Sequence, residues 1–219
     1  MFPQIKPIQL YTAIAFLISV LIVSAGPVHA DDPTVLFQSD GNELIGINKV
    51  VYSNNITGFL PTIGPELQIG VLPDDWGLSV IHAHTGTNAI RFSGSANGGA
   101  STFCCMDAFT VTIPVTASTK LTYWIYPQQE NARYEKVDLH CSDGTTLHSL
   151  GGIYNFTETT AAAHQPGQIP INAWSKITCD VGQILKGKTI DAVWIVYDQA
   201  GSHGQFRGYI DDITVTGGG

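Results

Sequence analysis

An all-β fold, a β-sandwich of jelly-roll type with about ten short strands, is predicted by three features of the sequence. Stretches of β-branched and aromatic residues alternate with clusters of Gly, Asn, Asp and Pro. No window of twelve residues carries the apolar stripe of an amphipathic helix. Turn signals such as Ser142-Asp143-Gly144 and Lys186-Gly187-Lys188 recur at spacings that suit strands and not the helices of an α/β fold.

In chain order, strands are expected near Val35 to Phe37, Leu78 to His82, Ala89 to Phe92, Phe109 to Ile113, Leu121 to Tyr126 and Lys136 to Cys141. Further strands are expected near Thr145 to Leu150, Trp174 to Cys179, Ile190 to Tyr197 and Phe206 to Val215. Two segments do not suit strands: Pro61 to Trp76, with three prolines, and Gly151 to Pro170, rich in Thr, Ala and Gln. Long loops of this kind are uncommon unless they bind something or move. There is no internal repeat. At 219 residues the chain is about one and a half typical domains, so a single domain with short additions is expected. These are an export signal over 1–30, the sandwich over 31–216 and a glycine tail over 217–219.

The front end reads as a signal because Lys6 is its only charge, Tyr11 to Val23 is an almost wholly apolar run, and Val28-His29-Ala30 resembles a cleavage pattern. That run has thirteen residues, short of the roughly twenty that cross a bilayer. A secreted protein with no membrane association after processing is the expectation. Ten Lys+Arg face eighteen Asp+Glu, for a formal charge of −8, and no basic run appears, which argues against a nucleic-acid partner. The same balance disfavours an anionic membrane surface.

Export makes Cys104, Cys105, Cys141 and Cys179 candidates for two disulfides. A bridge between the adjacent Cys104 and Cys105 would be strained, so one of them joining Cys141 or Cys179 is favoured, with the connectivity open. No C-x-x-C pair occurs, and His140 beside Cys141 puts two ligands on opposite faces of a strand, so zinc is not expected. Asn55-Ile56-Thr57 and Asn155-Phe156-Thr157 are glycosylation sequons.

The segment His84-Thr85-Gly86-Thr87-Asn88-Ala89-Ile90-Arg91 resembles the opening H-x-G-x-x-A-L-R of the galactose-binding-like jelly rolls that serve as carbohydrate-binding modules. "LTYWIYPQ", "VDLHCSDGTTLHSLG", "NAWSKITCDVGQILKGKTIDAVWIVYD" and, most specifically, "FRGYIDDITV" are similar to later strands of the same module. The resemblance covers roughly Ser79 to Val215. Such modules accompany secreted microbial glycoside hydrolases, including α-mannosidase-like enzymes, so a glycoside hydrolase is an implied partner. The chain has no room for the catalytic domain itself.

If Ile213 and Val215 point inward, two-residue alternation puts Asp211, Tyr209 and Arg207 on the same face. A carboxylate there needs a partner or a cation. The resemblance implies a structural Ca²⁺, with Gln38 or Asp40, Gly86, Thr87 and Asp211 as its matching ligands, an oxygen set that suits calcium. An Asp211–Arg207 ion pair, or a turn capped by Asp211, is the metal-free alternative.

Sugar binding needs aromatic faces that stack on a pyranose and polar groups that read its hydroxyls. Trp76, in the polar loop Asp74-Asp75-Trp76-Gly77, is the foremost platform candidate, followed by Tyr154 and Phe156. His148, Asp198 and Gln199 are candidate polar partners, while Trp124 and Trp194, inside apolar strands, are expected in the core. A glycosidase or lyase would need two carboxylates across a cleft. Asp74, Asp75, Glu130, Glu135, Asp138, Asp143, Glu158 and Asp198 are the available acids, and none forms a recognised motif. Asp138 and His140 share a strand face, which reads more simply as a solvated face than as an acid/base pair. The sequence therefore points to a non-catalytic carbohydrate binder. A hydrolase or lyase with an unrecognised site, and an adhesive or structural sandwich, are the alternatives.

Overall fold

The computed structural model describes residues 33–41, 49–57, 62–63, 83–152, 155–156 and 169–218. The chain divides into two compact units, Met1–Ala30 and Asp31–Gly219, and every described residue belongs to the second. Twelve strands are described there: β1 Thr34–Ser39, β2 Lys49–Asn54, β3 Ile56–Thr57, β4 Thr62–Ile63, β5 Ile90–Asn97 and β6 Phe103–Pro114, then β7 Lys120–Pro127, β8 Glu135–Cys141, β9 Asn155–Phe156, β10 Ser175–Cys179, β11 Thr189–Asp198 and β12 His203–Gly217. They form a β-sandwich. One sheet runs β3-β5-β12-β7-β10-β9, with β1 added beside β12 and β4 beside β5. The other runs β2-β6-β11-β8. All the pairings described are antiparallel. Among the described residues no helix is long and apolar enough to cross a membrane.

Alternation builds the core from one face of each sheet. Ile90 and Phe92, Leu121, Tyr123 and Ile125, and Phe206 and Ile210 face it from the larger sheet. Met106, Val137, Leu139, Val193, Ile195 and Tyr197 face it from the smaller one. The two layers lock through the Tyr197–Phe206 ring stack, with centroids 4.0 Å apart and planes 8° apart.

Several expectations change. Thr145 to Leu150 is a turn with a single bridge, His140 to Thr146, because Thr146 and Ser149 exchange side-chain and backbone hydrogen bonds that displace a ladder. The two segments judged unsuited to strands contain short ones, β4 and β9, which pair with β5 and β10. Helix α1, Val181–Leu185, is too brief to show an apolar stripe in sequence. Leu78 to His82 lies outside the described residues.

The expected disulfides are not seen, and all four cysteines are free thiols in the structure. Cys104 and Cys105 are successive strand residues and point to opposite faces. Cys104 lies beside Tyr197 and Cys141 beside Ile190, seven residues along β11 and roughly 24 Å away at the rise of an extended strand. Cys179 sits beside Leu121, whose other neighbour is Val215, nine residues along β12 from the Phe206 that stacks near Cys104. Neither of the adjacent pair reaches Cys141 or Cys179. Burial holds the Cys104 thiol far above its usual range and pushes Cys105 up to about 12, so both stay protonated and unreactive in the fold. Thiol titration of the denatured, unreduced protein should accordingly find four free thiols, and reductant should leave the melting temperature in place. A count of two or zero would show that bridges do form.

Candidate functional site

Two places collect polar and aromatic side chains. The first is where β12 meets the turn before β5. Ile210 pairs with Ile125 and faces the core, so Asp211, opposite Trp124, turns to the outer side of its sheet. A bulge between Asp211 and Thr214 then shifts the phase, and Ile213 and Val215 face the core again. The expectation that Asp211 shares a face with Ile213 is therefore corrected. Asp211 is nonetheless fully buried, because the turn from His84 folds over it.

Asp211 Oδ2 accepts from the backbone N–H groups of His84 (2.8 Å) and Thr85 (3.2 Å), and Oδ1 accepts from the N–H of Asp212 (2.7 Å). Arg207 donates to the Tyr209 hydroxyl at 3.0 Å, and among the described residues no ion pair joins it to Asp211. Desolvation pushes the Asp211 carboxyl up to about 6 despite those three amides. Asp212 adopts a left-handed conformation with φ of 47°. Its carboxylate accepts from Thr85 Oγ1 and lies 2.5 Å from His84 Nδ1, while the His84 ring stacks on Trp124 at 3.8 Å.

The end of β1 closes on the same turn. A Cβ on Gly41 would lie 2.9 Å from the Ala89 Cα, so only glycine lets the chain after Asp40 pass so close. Asp40, Gly86, Thr87 and Asp211 thus belong to elements that meet, and a calcium ion would find there an oxygen-rich donor set with one buried carboxylate short of counter-charge. Gln38 fits less well, being exposed and paired with Thr214 farther along β12. Among the described residues no group of three His, Cys, Asp or Glu side chains is spaced as a metal cluster, so backbone and hydroxyl oxygens would have to complete such a site.

The second place is the outer face of the four-stranded sheet. Val193, Ile195 and Tyr197 point inward, so Trp194, Val196 and Asp198 point outward. Register sets Trp194 between Asp138 on β8 and Asp107 on β6, and Val196 between Lys136 and Cys105. Trp194 is half-buried and stacked against His140, with centroids 4.4 Å and planes 20° apart. His140 is held in turn by Asp191, 2.6 Å from its Nδ1. Beyond Val196, Lys136 Nζ lies 3.1 Å from His148 Nδ1 and 3.6 Å from Asp198, and His148 Nε2 lies 2.9 Å from Asp198. These contacts hold the Asp198 carboxyl below the usual range, while burial lowers Lys136.

His148 and Asp198, proposed from sequence as polar partners, are therefore in direct contact. Gln199 follows them, with its backbone N–H on the Thr102 carbonyl. Trp76 and Tyr154 lie outside the described residues, and of Phe156 only its place in β9 is described. Neither Trp124 nor Trp194 is a core residue, which corrects that expectation: each occupies the outward parity of its strand. Of the acids weighed for catalysis, Asp138 accepts from the backbone of Leu139 and His148, whereas His140 turns to Asp191, so they form no acid/base pair with each other. Asp143 is tied to Lys188 and Thr145, and Glu130 pairs with Arg133 at 2.9 Å.

No family model matches the sequence, and no curated protein does. Solved structures do. A glycoside hydrolase domain of Endo-D from Streptococcus pneumoniae R6 is similar at 20% identity and a TM-score of 0.39, over 72% of this chain and 21% of that one. A structure titled for carbohydrate-binding modules of the β-sandwich superfamily matches at 13% identity and 0.44, over 75% of this chain and 55% of that one. The K1 cleaved adhesin domain of Lys-gingipain from Porphyromonas gingivalis W83 matches at 14% and 0.41, over 84% and 98%. The chain spans about a fifth and about half the length of the first two.

One further acid stands apart. Glu135, opposite Tyr197, points into the core, where no hydrogen bond reaches either oxygen. It fits because Gly208 faces it: a Cβ there would come within 2.2 Å of Glu135 Oε2. Burial raises this carboxyl well above its usual range. The folded state therefore prefers the proton, so the contribution of Glu135 is complete at pH below the ordinary carboxylate range. That contribution is lost as pH rises toward the folded-state value. Glu135→Gln, neutral throughout, should be more stable than the parent at pH 8 by on the order of 1–3 kcal/mol, and the gap should narrow near pH 4. Urea unfolding at both pH values checks this, and an equal difference at the two would exclude a buried proton on Glu135.

Proposed function

We propose that this chain is a secreted, non-catalytic carbohydrate-binding β-sandwich that holds a glycan on the outer face of its four-stranded sheet. The observation that carries the reading is Trp194, an outward, half-buried indole braced from one side by His140 and Asp191. Carboxylates and an imidazole flank it. Stacking on the apolar side of a pyranose needs such a fixed ring, and reading its hydroxyls needs such fixed acceptors. A strand-borne platform is also more rigid than one on a loop. The sequence resemblance to jelly-roll carbohydrate modules supports the same reading, together with export and a glycoside hydrolase as the partner in trans.

Immobilised glycans and chromogenic glycosides, offered to the mature chain, test it. Retention on a glycan without turnover of any glycoside is expected. Trp194→Ala should weaken that retention about fivefold, while the melting temperature moves by only a few degrees, as stacking is worth on the order of 1 kcal/mol. Trp76→Ala is the parallel variant for a platform on the loop. Unchanged binding in the Trp194 variant would remove this face from the function.

Calcium belongs to the proposal as a structural ion. Asp211, with oxygens from Asp40, Gly86 and Thr87, would hold it, and its charge would offset the buried carboxylate. An ion bound only by the folded state adds about 2.7 kcal/mol at one hundred times its dissociation constant. Chelation should therefore lower the melting temperature, and Asp211→Asn should remove most of that sensitivity. Because Asp212 grips the same turn, Asp212→Asn should also destabilise the protein, with or without calcium. A wild-type melting curve that chelator does not move in metal-free buffer rules the ion out.

A further inference from the structure

The strands of the smaller sheet put an excess of acid around Trp194. Asp107, Asp138 and Asp198 occupy outward positions, and Asp191 joins them through His140. The bases on these strands are Lys136 and Lys49, the latter across from Asp107 in the register. Lys136 has little to offer a ligand, since its side chain is 8% exposed and already lies against His148 and Asp198. Asp107 is the opposite case. Its Oδ1 is shielded from solvent, and no hydrogen bond reaches it. A carboxylate in the register position next to a half-buried indole disfavours a ligand that brings a second anion, because like charges a few ångströms apart in a partly desolvated site repel.

We infer that the Trp194 face selects glycans by charge, accepting neutral and amino sugars and rejecting uronic and sulfated ones, with Asp107 as the residue that sets the discrimination. This rests on the reading of that face as the glycan-binding surface. Stacking on Trp194 supplies affinity that is indifferent to charge. The surrounding carboxylates then sort the ligands that can stack. A hydroxyl or an ammonium group can sit beside Asp107 without repulsion, whereas a uronate or sulfate there meets its negative charge.

The test uses the mature chain at pH 6 in low salt against neutral polysaccharides (galactan, mannan, chitin oligomers), cationic chitosan, and the anions polygalacturonate and heparin. Binding should be confined to the neutral and cationic classes. Asp107→Asn should raise polygalacturonate binding, relative to the best-held neutral or cationic glycan, by about fivefold or more. Salt at 1 M, where the screening length is about 3 Å, should narrow the same ratio in the wild type. Polygalacturonate or heparin held as tightly as the best neutral glycan, and lost in Trp194→Ala, would overturn charge selection while leaving the glycan-binding face intact. A ratio that neither Asp107→Asn nor salt changes would overturn it as well. If no glycan of any class depends on Trp194, the underlying reading falls and the inference falls with it.

Discussion

The central strand β12 must face the core with Phe206 and Ile210 and again with Ile213 and Val215, two sets separated by an odd number of residues. No regular strand can do this, and the bulge between Asp211 and Thr214 is the physical resolution. Much depends on it. On one side of the bulge β12 pairs with β5, and on the other with β1, while β7 runs along the opposite edge of both halves. The extra residue also throws Asp211 and Asp212 outward together, where they take up the amides, hydroxyl and imidazole of the His84–Thr85 turn. The cost is a non-glycine residue at positive φ, which the two side-chain contacts of Asp212 offset.

The smaller sheet uses the same device for a different end. Register shifts at Ile190/Ala192 and Val193/Trp194 free Asp191 from the regular ladder and set Trp194 against His140. The Asp191–His140–Trp194 chain then fixes an indole that would otherwise rotate about its own side-chain bonds. Lys136, Asp198 and His148 form a second braced group one step along the face, and the turn at Thr146–Ser149 that replaced an expected strand is what brings His148 over Asp198. Rigid scaffolding beneath polar side chains is what recognition of a hydroxylated ligand requires, since each rotor frozen on binding weakens affinity.

Strands with clean alternation were legible in the sequence. β7 and β8 fall where Leu121 to Tyr126 and Lys136 to Cys141 predicted them. The pairing of His148 with Asp198 was anticipated only as a list of polar candidates, and their contact depends on a turn whose hydrogen bonds the sequence does not spell out. Trp194 was misread because Ala192-Val193-Trp194-Ile195-Val196 is apolar at both parities, so neither face stands out as outward. Yet Lys136, Asp138 and His140 across the ladder are all polar at one parity, and the shared face follows once β8 and β11 are paired. The bulge left a clear trace as well, for Ile210 and Ile213 are spaced by three where a strand demands two or four.

The two buried acids explain why alternation alone could not identify a site. Asp211 and Glu135 are both shut away from water, and both are held above the usual carboxylate range. Asp211 accepts two backbone N–H groups from a turn far away in sequence and a third from the adjacent Asp212, so it organises structure around itself. Glu135 accepts none and merely fills space that Gly208 leaves open. Burial of a carboxylate is therefore not in itself a mark of function. What separates the two is whether the surrounding backbone has been turned to meet the charge.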